Sequence, residues 1–213
     1  MSSADLGLHR RFAERTRLER RAKLLAHIGN GWHLAEFGIA LGAGVAAGSV
    51  ALTSFAGDSL VELLAASAIV WLFSGGRGAS VRAERSAQRV VAGSFVLLAA
   101  YILAQSIDDL ATGARPATSW VGIGLAAFTA PTMPLLARAK RNVGHALSSS
   151  ATVSEAGQNQ ICAYLSLALL AGLLANALAG WWWADPAAAL AIAGVALYEA
   201  RTSWRGDACA CCE

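Results

Sequence analysis

The sequence predicts an all-α membrane protein, a six-transmembrane-helix bundle with both termini cytoplasmic. Three observations carry this. Hydrophobic residues make up 56% of the 213-residue chain and charged residues 15%, whereas a soluble domain carries about a quarter charged residues. Apolar stretches of bilayer-spanning length recur between short polar connections. The basic residues are also placed asymmetrically. Seven Lys and Arg precede the first stretch, four lie between the second and third, three between the fourth and fifth, and two follow the sixth. Arg115 stands alone on the other side, so the positive-inside rule puts both termini in the cytoplasm.

Each element follows from its local composition. Residues 1–25 place Arg10, Arg11, Arg15, Arg17, Arg20, Arg21 and Lys23 among Leu8, Phe12, Leu18 and Leu24. This is the pattern of a basic amphipathic segment on an anionic leaflet, or of a solvated helix that acts as a topology signal. No cleavable signal peptide is apparent. The six-helix domain is expected over 26–203. Its first span, 26–47, carries a small-residue row, Gly38, Gly42 and Ala46, that suits close helix approach in lipid. The second, 49–73, follows with almost no loop. The third is expected over 90–107, after a basic loop 75–89, and the fourth over 119–136, after a turn-rich stretch 108–117. A further basic loop from Arg138 through Ser150 leads into the fifth, which ends at Ala179. Gly180-Trp-Trp-Trp-Ala-Asp-Pro186 reads as a turn with an interfacial aromatic belt, Asp185 capping the sixth span. A Cys-rich tail, 204–213, closes the chain.

The second span holds the feature that composition does not explain. Asp58 and Glu62 are spaced i,i+4, so both carboxylates share one helix face a turn apart. A charge at bilayer depth costs about 3 kcal/mol or more, and two on one stripe call for a compensating cation, protons or a basic partner. On the fifth span, at 100° per residue, Glu155, Gln158 and Cys162 fall within about sixty degrees of arc. If the two spans pack together, Asp58, Glu62, Glu155, Gln158 and Cys162 converge as metal donors, a set that suits Zn²⁺ or a close relative. Glu155 also suits the cytoplasmic mouth, where it would attract cations. His33 and Glu36 in the first span are candidates for a proton relay or accessory ligands, or for a structural bond. Cys209, Cys211 and Cys212 in the tail are candidates for metal capture, for acylation, or for no role. Asn176 suits interhelical bonding, and Glu199 a nearby base. The four cysteines form no disulfide framework.

The string Gly48-Ser-Val-Ala-Leu-Thr-Ser-Phe-Ala-Gly-Asp-Ser-Leu-Val-Glu62 resembles the second span of the cation diffusion facilitators, in which an acidic pair four residues apart supplies half of the transport site. Cys162-Ala-Tyr-Leu-Ser, with Gly180-Trp-Trp-Trp-Ala-Asp-Pro-Ala-Ala-Ala-Leu190, resembles spans five and six of that superfamily. The nearest likeness is to the short bacterial branch known as cation transporters or cation efflux proteins, over about residues 30–206. The resemblance implies a usually dimeric six-helix bundle in a bacterial inner membrane, exporting a divalent ion such as zinc in exchange for protons. It also places the family's second half-site, a His-xxx-Asp pair, near Gln158 and Cys162, where the residue types differ. The soluble metal-binding domain of longer members is not expected.

These readings combine into proton-coupled export by alternating access. The expected partners are membrane lipid, the transported cation, protons and a second copy of the chain, with no permanent cofactor. The rival is a membrane metal sensor, or a modulator of another transporter, that binds without turnover. Neither a nucleic-acid partner nor an enzyme is expected. The basic residues do not interleave with aromatics, and the sequence has no Ser/His/Asp set, phosphate-cradling loop or paired-His metalloprotease motif.

Overall fold

The computed structural model describes residues 3–73 and 81–205, with most side chains from Glu14 onward. Cys209, Cys211 and Cys212 lie outside the described residues. Six helices run in order: α1 Ser3–Ala47, α2 Val50–Phe73, α3 Val81–Thr112, α4 Trp120–Leu147, α5 Ser150–Ala179 and α6 Ala184–Arg205. There is no strand among the described residues. Among the described residues, four helices are long and apolar enough to cross a membrane: α2 over Val50–Ala68, α3 over Gln88–Thr112, α4 over Trp120–Leu147 and α5 over Glu155–Ala179. Asn30, His33 and Glu36 make α1 more polar, as Asp185 and Glu199 do α6. Of these, His33, Glu36, Asp185 and Glu199 face the interior. Large apolar side chains, among them Leu97, Leu135 and Leu178, point outward, as they would toward lipid.

Several elements run longer than composition suggests. The basic segment and the first expected span form one unbroken helix, α1, of 45 residues. At 1.5 Å per residue it is about 68 Å long, twice a ~30 Å hydrocarbon core. The expected loop after the fourth span shrinks to Ser148 and Ser149, because α4 continues through Arg138, Lys140 and Arg141. Lys140 tolerates this register because it is buried against Glu155. The small-residue row also behaves differently from expectation. Gly38 and Gly42 open onto empty space, while α1 packs through Ala26, Gly29, His33, Glu36, Ala40 and Gly44.

The α1–α2 and α4–α5 hairpins are built alike, 100 residues apart. Ser49 N donates to Gly44 O at 2.9 Å, and Ser149 N to Gly144 O at 3.0 Å. The residue before each serine has positive φ, Gly48 at 62° and Ser148 at 52°. Each serine hydroxyl then caps the next helix, accepting from Leu52 N at 3.1 Å and from Thr152 N at 3.4 Å. A Cβ at Gly44 would meet Thr53 at 2.9 Å, and one at Gly144 would meet Val153 at the same distance.

The hairpins point in opposite directions. Ala117 N donates to Ala47 O, and Asn176 Nδ2 to Pro116 O. Asp185 accepts from Ser49 Oγ and Ala51 N. The α1–α2 turn, the 113–119 connection and the α5–α6 turn therefore share one end of the bundle. The α4–α5 turn lies at the other. This is the arrangement of an inverted repeat, which in transporters brackets a mid-membrane site. Asp185 does not cap its own helix: it caps the N-terminus of α2, where a carboxylate opposes the positive end of the helix dipole.

Candidate metal centre

Asp58 and Glu62 lie on successive turns of α2, Glu62 about 18 Å along it and so near mid-bundle. Both are buried, because that face of α2 meets α1, α5 and α6. The repeat register sets Gln158 and Cys162 of α5 in the positions of Asp58 and Glu62. One ligand atom each from Asp58, Glu62 and Cys162 lie within 4.8 Å of one another, all three residues buried. Gln158 is buried too, and its Oε1 accepts no hydrogen bond.

A second group adjoins the first through Glu62. Atoms of His33, Glu36 and Glu62 also lie within 4.8 Å of one another. His33 Nδ1 stands 3.4 Å from Glu36 Oε2 and 3.1 Å from Glu62 Oε2. Glu62 Oε2 nevertheless has no hydrogen bond. Glu36 is held on both oxygens, accepting from Thr129 Oγ1 at 2.6 Å and from Ser59 Oγ at 3.0 Å. The Asn159 amide N–H₂ donates to Glu62 Oε1 at 3.1 Å and faces His33 Nε2 at 3.1 Å. Its own Oδ1 has no partner.

Of the sequence-predicted donors, Asp58, Glu62 and Cys162 are brought together, and His33 and Glu36 join them through Glu62. Glu155 is in neither group, because its carboxylate is bonded to Lys140 Nζ and the pair is closed inside the bundle. Glu199 faces inward from α6 with no basic partner among the described residues. Asn176 bonds Pro116 O across helices, as its residue type suggests. The sequence reading passed over Asn159, Ser59, Thr129 and Lys140. Asn159 was findable: on a helical wheel it falls about forty degrees from Glu155, on the face already marked by Cys162. Thr129 and Ser59 gave no signal, since hydroxyls are common in spans and usually bond their own backbone.

Comparison with curated proteins finds no match. Residues 33–205 match the family model of the cation efflux transmembrane domain, a stretch that begins at His33 and takes in every residue of both groups. The chain therefore belongs to the cation efflux family and is a cation transporter of the cation diffusion facilitator type.

Proposed function

We propose that the chain exports a divalent cation, Zn²⁺ or a close relative, from the cytoplasm in exchange for protons by alternating access. In this reading all six helices span the membrane, with both termini cytoplasmic as the basic residues require. The observation that carries it is the convergence of Asp58, Glu62 and Cys162 at mid-bundle. Two carboxylates and a thiol are a donor set for Zn²⁺, and Gln158 offers a fourth from the equivalent position in the second repeat. The thiolate also favours Zn²⁺ over Mg²⁺ or Ca²⁺, which prefer oxygen alone.

Proton exchange follows from the same ligands. A carboxylate or thiol binds metal only in its deprotonated form, so loading expels protons and protons displace the ion. Metal arriving from the cytoplasm would release protons from the site; on the far side protons would release the metal, and the protonated site would return. The ion biases this cycle only through its different affinity for the two conformations. Glu155 serves in this reading as the partner of Lys140 and not as a ligand. The outward row of Gly38, Gly42 and Ala46 suits the approach of a second copy.

The test is metal-dependent proton flux in vesicles containing only the purified protein. Asp58→Ala and Glu62→Ala are expected to abolish it, and wild-type flux in either variant would reject the site. Metal binding without counterflow in the wild type would make the chain a sensor.

A further inference from the structure

We propose that His33, Glu36 and Glu62 form a second position for the transported cation, reached when Glu62 carries the ion away from Asp58 and Cys162. This rests on the transport reading above and adds a step to it. The first observation is that Glu62 belongs to both groups of converging ligand atoms. Its Oε1 is engaged by Asn159, and its buried Oε2 lies 3.1 Å from His33 Nδ1 without forming a hydrogen bond. One carboxylate can therefore serve either side with a small torsional change.

The second observation is that Glu36 is oriented in advance. Hydroxyls from two different helices, Ser59 on α2 and Thr129 on α4, hold its two oxygens. A carboxylate accepts about four hydrogen bonds, so both oxygens keep lone pairs for an ion. Such supporting donors are the usual outer shell of a metal ligand.

The third observation is independent of the acidic residues. Asn159 is 1% exposed, its amide touches both His33 and Glu62, and its Oδ1 has no partner. As the side chain stands, the amide donates to His33 Nε2, which leaves the imidazole proton on Nδ1, toward the carboxylates. Rotation of the amide by half a turn would let Oδ1 accept from Nε2–H, and because it withdraws the donor from Glu62 Oε1 it would turn the Glu62 carboxylate away from Asn159 at the same time. The imidazole would then present a bare Nδ1 between Glu36 and Glu62. The unused acceptor is the one that this tautomer needs. The ring carries one proton before and after: Nδ1 gives one up to the Glu62 carboxylate 3.1 Å away, and Nε2 takes one up from the protons that the transport reading moves through the site.

The resulting ligands are one imidazole nitrogen and two carboxylates, harder than the thiolate-containing set beside them. They suit Zn²⁺, Co²⁺, Fe²⁺ or Mn²⁺. An ion moving from the Cys162 side to the His33 side would exchange a thiolate for an imidazole while keeping Glu62.

Co²⁺ titration of the purified full-length protein tests this, because a thiolate ligand gives a charge-transfer absorption and imidazole and carboxylate ligands do not. In the wild type the ion is shared between the two positions. Glu36→Gln keeps the Ser59 and Thr129 contacts but weakens the second position. The thiolate band per bound ion should then rise, by about twofold for positions of equal affinity. An unchanged band would overturn the proposal. In the reverse experiment, Asp58→Asn combined with Cys162→Ala should still bind Co²⁺ without the band, and adding His33→Ala should remove that binding. Helical circular dichroism and detergent elution report whether each variant is folded. Loss of binding in a folded double variant overturns the second position while leaving the transport reading intact. Absence of Co²⁺ binding by the wild type would overturn both.

Discussion

Replacing Glu155 by Gln separates a structural role from a ligand role. Lys140 and Glu155 are 1% and 4% exposed, and their charged ends meet directly across the α4–α5 hairpin. The ammonium lies against Gly29 of α1, where a Cβ would come within 2.8 Å of Nζ. Removing one member of such a pair strands the other charge, at a cost of about 3–5 kcal/mol, whereas replacing both by apolar residues is often neutral or stabilising. For a chain of this length each kcal/mol moves the melting temperature by about 2–4 °C, so Glu155→Gln and Lys140→Met should each lower it by about 6–20 °C. Lys140→Met with Glu155→Leu should recover most of the loss. The seven tryptophans provide an intrinsic fluorescence signal for unfolding in detergent. Metal affinity of the folded Glu155→Gln protein should fall far less than that of Asp58→Asn, since Glu155 supplies no atom to either group of converging ligands. Loss of metal affinity with an unchanged melting temperature would refute the reasoning and make Glu155 a ligand.

Cys162→Ser should lower Cd²⁺ and Zn²⁺ affinity by at least the ~10–100-fold that follows loss of a supporting group, and Mn²⁺ affinity far less, by calorimetry. Zn²⁺ affinity of the wild type should fall as pH is lowered, because protons compete for the same ligand atoms. Calorimetry in buffers of different ionisation enthalpy should show proton release on loading. Gly44→Ala places a Cβ 2.9 Å from the Thr53 backbone nitrogen and should cost about 1–3 kcal/mol. Gly38→Ala, in open space, should gain up to about 1 kcal/mol from helix propensity, both read as melting temperatures. Asp185→Ala strands the buried Ser49 hydroxyl and Ala51 N–H. It should cost about 1–3 kcal/mol, again by melting temperature, and Asp185→Asn should cost less.

The all-helical architecture was legible because apolar runs and basic connections alternate along the chain, and because the tight turn at Gly48 left no room for a long loop. Helix ends were less so. A charged residue such as Lys140 reads as loop until its buried partner is seen, and Glu155 identifies itself as that partner only in three dimensions. The i,i+4 spacing marked Asp58 and Glu62 directly, and the arc on α5 marked Cys162. His33 and Glu36 could be singled out, but their meeting with Glu62 depends on the α1–α2 packing, which spacing within one helix does not reveal. The row of Gly38, Gly42 and Ala46 marked a smooth face of α1. Which face turns inward was decided instead by His33, Glu36 and Gly44, whose partners lie on other helices. The 100-residue repeat is hidden in the sequence because its two halves share turn geometry and register more than residue types.

Glu36 has a mechanical consequence. Its carboxylate rivets α1 to α2 and α4 through Ser59 and Thr129, Asn159 ties α5 to Glu62, and Lys140 fastens α4 to α5. Pulling any of these joints apart inside an apolar interior would strand groups at about 1–3 kcal/mol each, and more for the charged ones. The α3–α6 pair is in extensive mutual contact and meets the core through apolar side chains such as Phe95, Ile102, Ile192 and Ala196, with Asp185 at one end as its polar tie to α2. In the transport reading, the α3–α6 pair can therefore swing against the other four helices as one piece only by pivoting at Asp185, which makes opening cheapest at the far end of the bundle, beside the α4–α5 turn.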